Sequence, residues 1–96
     1  MKIDSQFPNV ACFDNGISID RYAAIFLNRA DYGYDKEWLA RRGDFYPCLA
    51  MNAAPFHPQG FGQHAECMLG RHLGKRIDSK DLPPDCQKLI RQDLGL

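Results

Sequence analysis

Two short stretches rich in β-branched and aromatic residues, 8–13 and 22–27, read as strands, and Asn15-Gly16 between them has the composition of a tight hairpin turn. The side chains argue against so short a turn. A two-residue reversal centred on Asn15-Gly16 places Val10 against Arg21, Ala11 against Asp20 and Phe13 against Ser18, so polar and apolar groups mix on both faces. Pairing Phe13 with Tyr22 instead sets Cys12 against Ala23, Ala11 against Ala24, Val10 against Ile25 and Pro8 against Leu27. Register follows the hydrophobic pattern wherever a face is buried. The second register is therefore expected, and it expels residues 14–21 as a projecting loop carrying Ile17 and Ile19 beside Asp20 and Arg21.

A short helix is expected over 35–42, capped by Asp35, ended by Gly43, and packed through Trp38 and Leu39. A third strand follows at 45–51, where Pro47, lacking an N–H, argues for an edge position or a bulge. Residues 52–70 hold two prolines and several glycines and read as one long irregular loop, pinned by Phe56 and Phe61. Residues 71–77 read as a last strand. Asp81 then caps a helix whose first turn accepts Pro83 and Pro84, whose stripe is Cys86, Leu89, Ile90 and Leu94, and which Gly95 ends. That stripe needs a sheet face to cover. The expected fold is a small α+β domain spanning 1–96: an antiparallel sheet of three to four strands packed by the C-terminal helix, with a long irregular loop.

Composition narrows the function classes. The chain has 96 residues, 45% hydrophobic and 25% charged, which suits one globular domain and not a disordered segment. Twelve basic residues balance twelve acidic ones, which removes the default electrostatic case for nucleic acid. The longest apolar run, residues 22–27, is far short of the roughly 20 residues of a membrane span, and the N-terminal stretch has no apolar leader. A cytoplasmic setting is expected, with all four cysteines as reduced thiols.

His57, His64, Cys67 and His72 could together supply four zinc donors, and His64-x-x-Cys67 has ligand-like spacing. Their wider spacings match no zinc pattern, and histidines that satisfy the backbone of an irregular loop explain them as well. No cofactor is expected. Cys67 with His64 or His72 lacks the third, orienting group that a nucleophile needs. Gly60-Phe61-Gly62 and the segment 70–75 have glycines without the spacing of a phosphate loop. Arg71, Lys75 and Arg76 form a basic cluster that could meet nucleic acid, but Asp78, Asp81 and Asp85 follow at once and favour a salt-bridged surface. Asp14, Asp20 and Arg21 serve as turn formers and an ion pair more simply than as catalytic carboxylates. An enzyme is therefore not expected. Isoleucines among charges on a projecting loop suit protein contact. The expected partner-binding residues are Ile17, Ile19, Asp20, Arg21, Phe56 and Phe61, with Arg71 and Arg76 at the rim.

Three segments carry a resemblance: Phe13-Asp14-Asn15-Gly16 leading to Asp20-Arg21-Tyr22, the string Pro55-Phe56-His57-Pro58-Gln59-Gly60-Phe61-Gly62-Gln63-His64, and residues 70–77 followed by Asp81-Leu82-Pro83. The chain resembles a group of small proteins of bacterial genomes and bacteriophages, over most of residues 10–94, with 29–44 outside it as an apparent insertion. The group brings no activity with it. The resemblance implies phage or mobile-element ancestry, and hence binding to a host or phage protein complex, with inhibitors of host defence such as anti-CRISPR proteins as one such class.

Overall fold

The first two strands settle the register question. In the computed structural model, which describes residues 3–16, 21–28, 43, 45–60 and 62–96, β1 (Val10–Asp14) and β2 (Tyr22–Phe26) pair antiparallel, with Val10 opposite Phe26, Cys12 opposite Ala24 and Asp14 opposite Tyr22. The tight reversal is excluded. The register also lies one residue from the expected one, because Phe13 faces Ala23 and not Tyr22. That shift sorts the side chains better than the expected pairing does. Val10, Cys12, Tyr22, Ala24 and Phe26 share one buried cluster, while Ala11 and Ile25, with Phe13 and Ala23, belong to another. Residues 8 and 9 form a turn before β1, so Pro8 is outside the ladder.

β3 (Phe45–Met51) forms as expected but lies inside the sheet, between β2 and β4 (Gly62–Met68). Pro47 is tolerated there because the β2 ladder stops at Cys48, one residue short of it. Strand β4 corrects the reading of 52–70 as wholly irregular. Turns occupy only its first part, and residues 62–68 then pair along β3. Short β5 (Lys75–Ile77) pairs with β1, giving the antiparallel order β4-β3-β2-β1-β5, five strands where three to four were expected. The fold is α+β. The segment 71–77 divides into a 3-10 turn (Arg71–Leu73) and β5, separated by Gly74.

Helix α1 (Pro84–Asp93) covers one sheet face. Cys86 and Ile90 are buried, with Leu89 and Leu94 partly so, as their spacing dictates. Burying the Ile90 side chain alone contributes about 2 kcal/mol. The cap differs from expectation: Pro83 holds the N-cap position and Pro84 the first helical one, with no side-chain cap, while Asp81 ends a separate 3-10 turn (Ser79–Asp81). A residue that closes the 3-10 turn is already committed and cannot also cap α1. The C-terminus closes as the sequence implies. Gly95, at φ 76°, donates to Gln92 O, and Leu96 N–H donates to Arg91 O, which satisfies the last carbonyls.

The N-terminal segment is strapped to the turn before α1. The buried Asp4 carboxylate accepts from the N–H groups of Gln6, Phe7 and Ser79 and from the Ser79 hydroxyl. Alongside, Asp78 accepts from the Ser5 hydroxyl, the Ser5 N–H and the Lys80 N–H, which hold its carboxyl down at about 2. Folding thus lowers this pKa from its usual 3.8. The stabilisation is complete above the unfolded value and is lost as pH falls toward 2. Asp78→Asn is expected to flatten the acid side of a melting-temperature profile between those two values and to leave it parallel to wild type above them.

The cysteines divide in two. Cys12 and Cys86 are buried free thiols, pushed up to about 12 and about 11 by burial. Cys48 and Cys67 are joined by a disulfide between β3 and β4. The expectation of four reduced thiols is corrected there. With Tyr46 opposite Cys67 and Cys48 opposite Ala65, the two cysteines share a face on neighbouring strands, 6.3 Å apart at Cα. Among the described residues, no helix is long and apolar enough to cross a membrane.

Candidate functional site

The sheet face opposite α1 carries the candidate site. Its floor is the second apolar cluster, with Ala11, Ile25, Cys48 and Leu73 buried and Phe13, Ala23, Tyr46, Cys67 and Leu69 only partly covered. The small side chains of Ala23 and Ala50, directly opposite each other on β2 and β3, leave a depression. A groove of about 430 Å³ results, bounded by Asn15, Ala23, Ala50, Cys67, His72 and Leu73 among others. The disulfide stiffens its wall, since Cys67 lies in it.

The loop between β1 and β2 opens at this groove through Asn15. Its base is locked. Arg21 donates Nε–H to Asp14 Oδ1 at 2.8 Å and an Nη2 hydrogen to Asp14 Oδ2 at 3.1 Å, a two-pronged pair. Asn15 N–H donates to Arg21 O, and Gly16 N–H donates to Asp14 Oδ1. The Arg21 hydrogen bonds hold the Asp14 carboxyl below the usual range, and the pairing raises the Arg21 guanidinium in turn. The Arg21 guanidinium also lies 5.1 Å from the centre of the Tyr22 ring. At φ 80°, Gly16 adopts a left-handed conformation with open space around it.

The expected site residues separate spatially. Arg21 stands at the loop base, and Arg76, opposite Phe13, lies over that ring at 5.7 Å on the groove face. Arg71 is exposed on the 3-10 turn beside the groove residues His72 and Leu73. Phe56 is 45% exposed but belongs to the α1 side, where Lys88 Nζ lies 5.3 Å from its ring centre. It does not join the loop in one patch. Ile17, Ile19, Asp20 and Phe61, like the helix expected at 35–42, lie outside the described residues.

The four suggested zinc donors are not brought together. His57 accepts at Nδ1 from Gln59 N–H within a turn, His64 contacts Asp93 through Nε2, His72 lies at the groove, and the Cys67 sulfur is bonded to Cys48. Among the described residues, no cluster of three or more His, Cys, Asp or Glu side chains could hold a metal ion. Within the basic cluster, Lys75 lies opposite Asp14 and Arg76 over Phe13. Sequence reasoning missed the groove residues Ala23, Ala50 and Leu73. Their signal was present in part, as alanines on two strands of the sequence that turn out to lie opposite each other.

Comparison with protein-family models, with curated proteins and with solved structures found no match.

Proposed function

We propose that the protein is a non-enzymatic binding module that occludes a surface on another protein, using the groove face and the loop at its mouth. The observation that supports this most is the groove of about 430 Å³ on a partly uncovered apolar sheet face, beside a loop whose stems are fixed by the Asp14–Arg21 pair. A fixed stem lowers the ordering cost of docking. The apolar floor and the nearby Arg71 and Arg76 match the usual anchors of protein interfaces. The resemblance to small bacterial and phage proteins directs the search toward host machinery, including defence complexes such as CRISPR-Cas.

Affinity capture from a bacterial host lysate tests the reading. Ala50→Arg fills the groove from a half-buried position and is expected to abolish capture while keeping the wild-type melting temperature. Arg21→Glu, which sets two carboxylates at the loop base, is expected to weaken it. Capture undiminished by Ala50→Arg in a folded protein contradicts the groove assignment.

A further inference from the structure

The Cys48–Cys67 bridge lies at the groove, and its two ends differ in access. Cys48 is 1% exposed, while Cys67 is half-buried and lines the groove. A reagent in water therefore meets the bridge at Cys67. The other two cysteines, Cys12 and Cys86, belong to the main cluster on the α1 side of the sheet. Burial pushes their thiols up to about 12 and about 11, which leaves almost no reactive thiolate at neutral pH. They lie across the sheet from the bridge and do not trade partners with it.

We propose that this bridge is a reversible thiol-exchange site, opened at Cys67 by a dithiol that enters the groove, and that opening it loosens the groove wall. One thiolate of the dithiol attacks Cys67 Sγ. The bond to Cys48 breaks, and its electron pair leaves on Cys48 Sγ, which takes up a proton. A mixed disulfide then joins Cys67 to the reagent. The second thiolate of the dithiol attacks the reagent's own sulfur in that bond, and Cys67 leaves as a thiolate and is protonated. The dithiol ends as a disulfide and the protein as a pair of thiols, with electrons and protons balanced. A monothiol lacks the built-in second step, so Cys48, held on the neighbouring strand, recloses onto Cys67 first.

The fold does not depend on the bridge. Neither of its sulfurs belongs to the main cluster, in which Leu49 and Met51 anchor β3 from positions on the other face to Cys48. After opening, β4 stays paired with β3 from Gly62 to Met68, and His64 still contacts Asp93 of α1. What is lost is the covalent tie of β4, the strand that ends the sheet order. Its backbone pairing then opens more often, and the groove wall at Cys67 opens with it. Both cysteines remain on one face of neighbouring strands, 6.3 Å apart at Cα, so an oxidised dithiol closes the bridge again. As a regulation of binding this rests on the reading above; as chemistry it does not, and its test needs no partner.

Thiol counting and amide exchange on the purified chain, first treated with oxidised dithiothreitol, test the proposal. On denaturation, two cysteines are expected to take an alkylating label before the folded protein meets dithiothreitol, and four afterwards. In the folded, reduced protein only Cys67 is expected to label quickly, because the other cysteines are buried. Amide exchange over residues 62–68 is expected to quicken about tenfold on reduction and to slow again on reoxidation, with the near-ultraviolet circular dichroism of the folded chain retained. Cys67→Ser, with no bridge to open, is expected to exchange like the reduced wild type and to ignore the reagent. A bridge that dithiothreitol opens only in denatured protein overturns the proposal, as does reduction that unfolds the chain or leaves exchange over 62–68 unchanged. A chain that still holds four free thiols after oxidised dithiothreitol overturns it too. None of these readouts involves capture, so failed capture with the bridge closed counts against the binding reading alone.

Discussion

Asp4→Ala is expected to destabilise the protein by about 4 kcal/mol, a large part of what a domain of this size possesses. The carboxylate is 4% exposed and receives four hydrogen bonds, three of them buried: Phe7 N–H, Ser79 N–H and the Ser79 hydroxyl. Alanine leaves those donors without an acceptor, and each buried orphan costs about 1–3 kcal/mol unless water reaches it. The same carboxylate joins the N-terminal segment to the turn before α1, so the loss also frees Phe7, 4% exposed, from the main cluster. Urea unfolding should show a lower midpoint with an unchanged slope. A shift below about 1 kcal/mol would mean that the strap contributes little.

Gly74→Ala is expected to be comparably severe, for a backbone reason. Gly74 has φ 86° and ψ −148°, a region that L residues avoid at a cost of about 1–3 kcal/mol. A Cβ there would stand 2.4 Å from both Asn15 Cα and Asp14 O, which are backbone atoms without freedom to move aside. Because Asp14 pairs with Lys75 and holds Arg21, the clash reaches the β1–β5 ladder and the loop base together. A total of about 3 kcal/mol or more is expected, with faster amide exchange at Lys75, Arg76 and Ile77. Gly16→Ala provides the contrast. Its φ is also positive, but its surroundings are open, so about 1 kcal/mol of backbone strain is the whole effect.

Legibility in the sequence followed how local each cause was. The stripe of α1 and its Gly95 terminator depend on neighbours a few residues away, and both appear as the spacing implies. The register of β1 and β2 was legible to within one residue. Alternation there is blurred because both faces are buried, and alanines at 11, 23 and 24 fit either side. Strand β4 was hidden because an exposed edge needs no hydrophobic alternation; its polar residues look like a loop until β3 is placed beside it. Non-local causes were the least visible. The Asp4–Ser79 network and the Cys48–Cys67 bridge join residues whose proximity arises only from strand order. Arg21, expected both as a partner-binding residue and as half of an ion pair holding the loop, makes that pair with Asp14 and fixes the stems of the loop.

The account rests on the chain leaving the sheet after Asp14 and rejoining it at Tyr22. The bonds from Asn15 N–H to Arg21 O and from Leu27 N–H to Asn9 O make 15/21 and 9/27 hydrogen-bonded pairs. Alternation along the ladder then makes Val10/Phe26, Cys12/Ala24 and Asp14/Tyr22 the close, non-hydrogen-bonded pairs. Cross-strand NOEs between Hα protons measure this directly. The account predicts Hα–Hα cross-peaks for those three pairs; a ladder that places Phe13 against Ser18 and Val10 against Arg21 would contradict it, because β1 would then pair with residues 18–21 and not with 22–26.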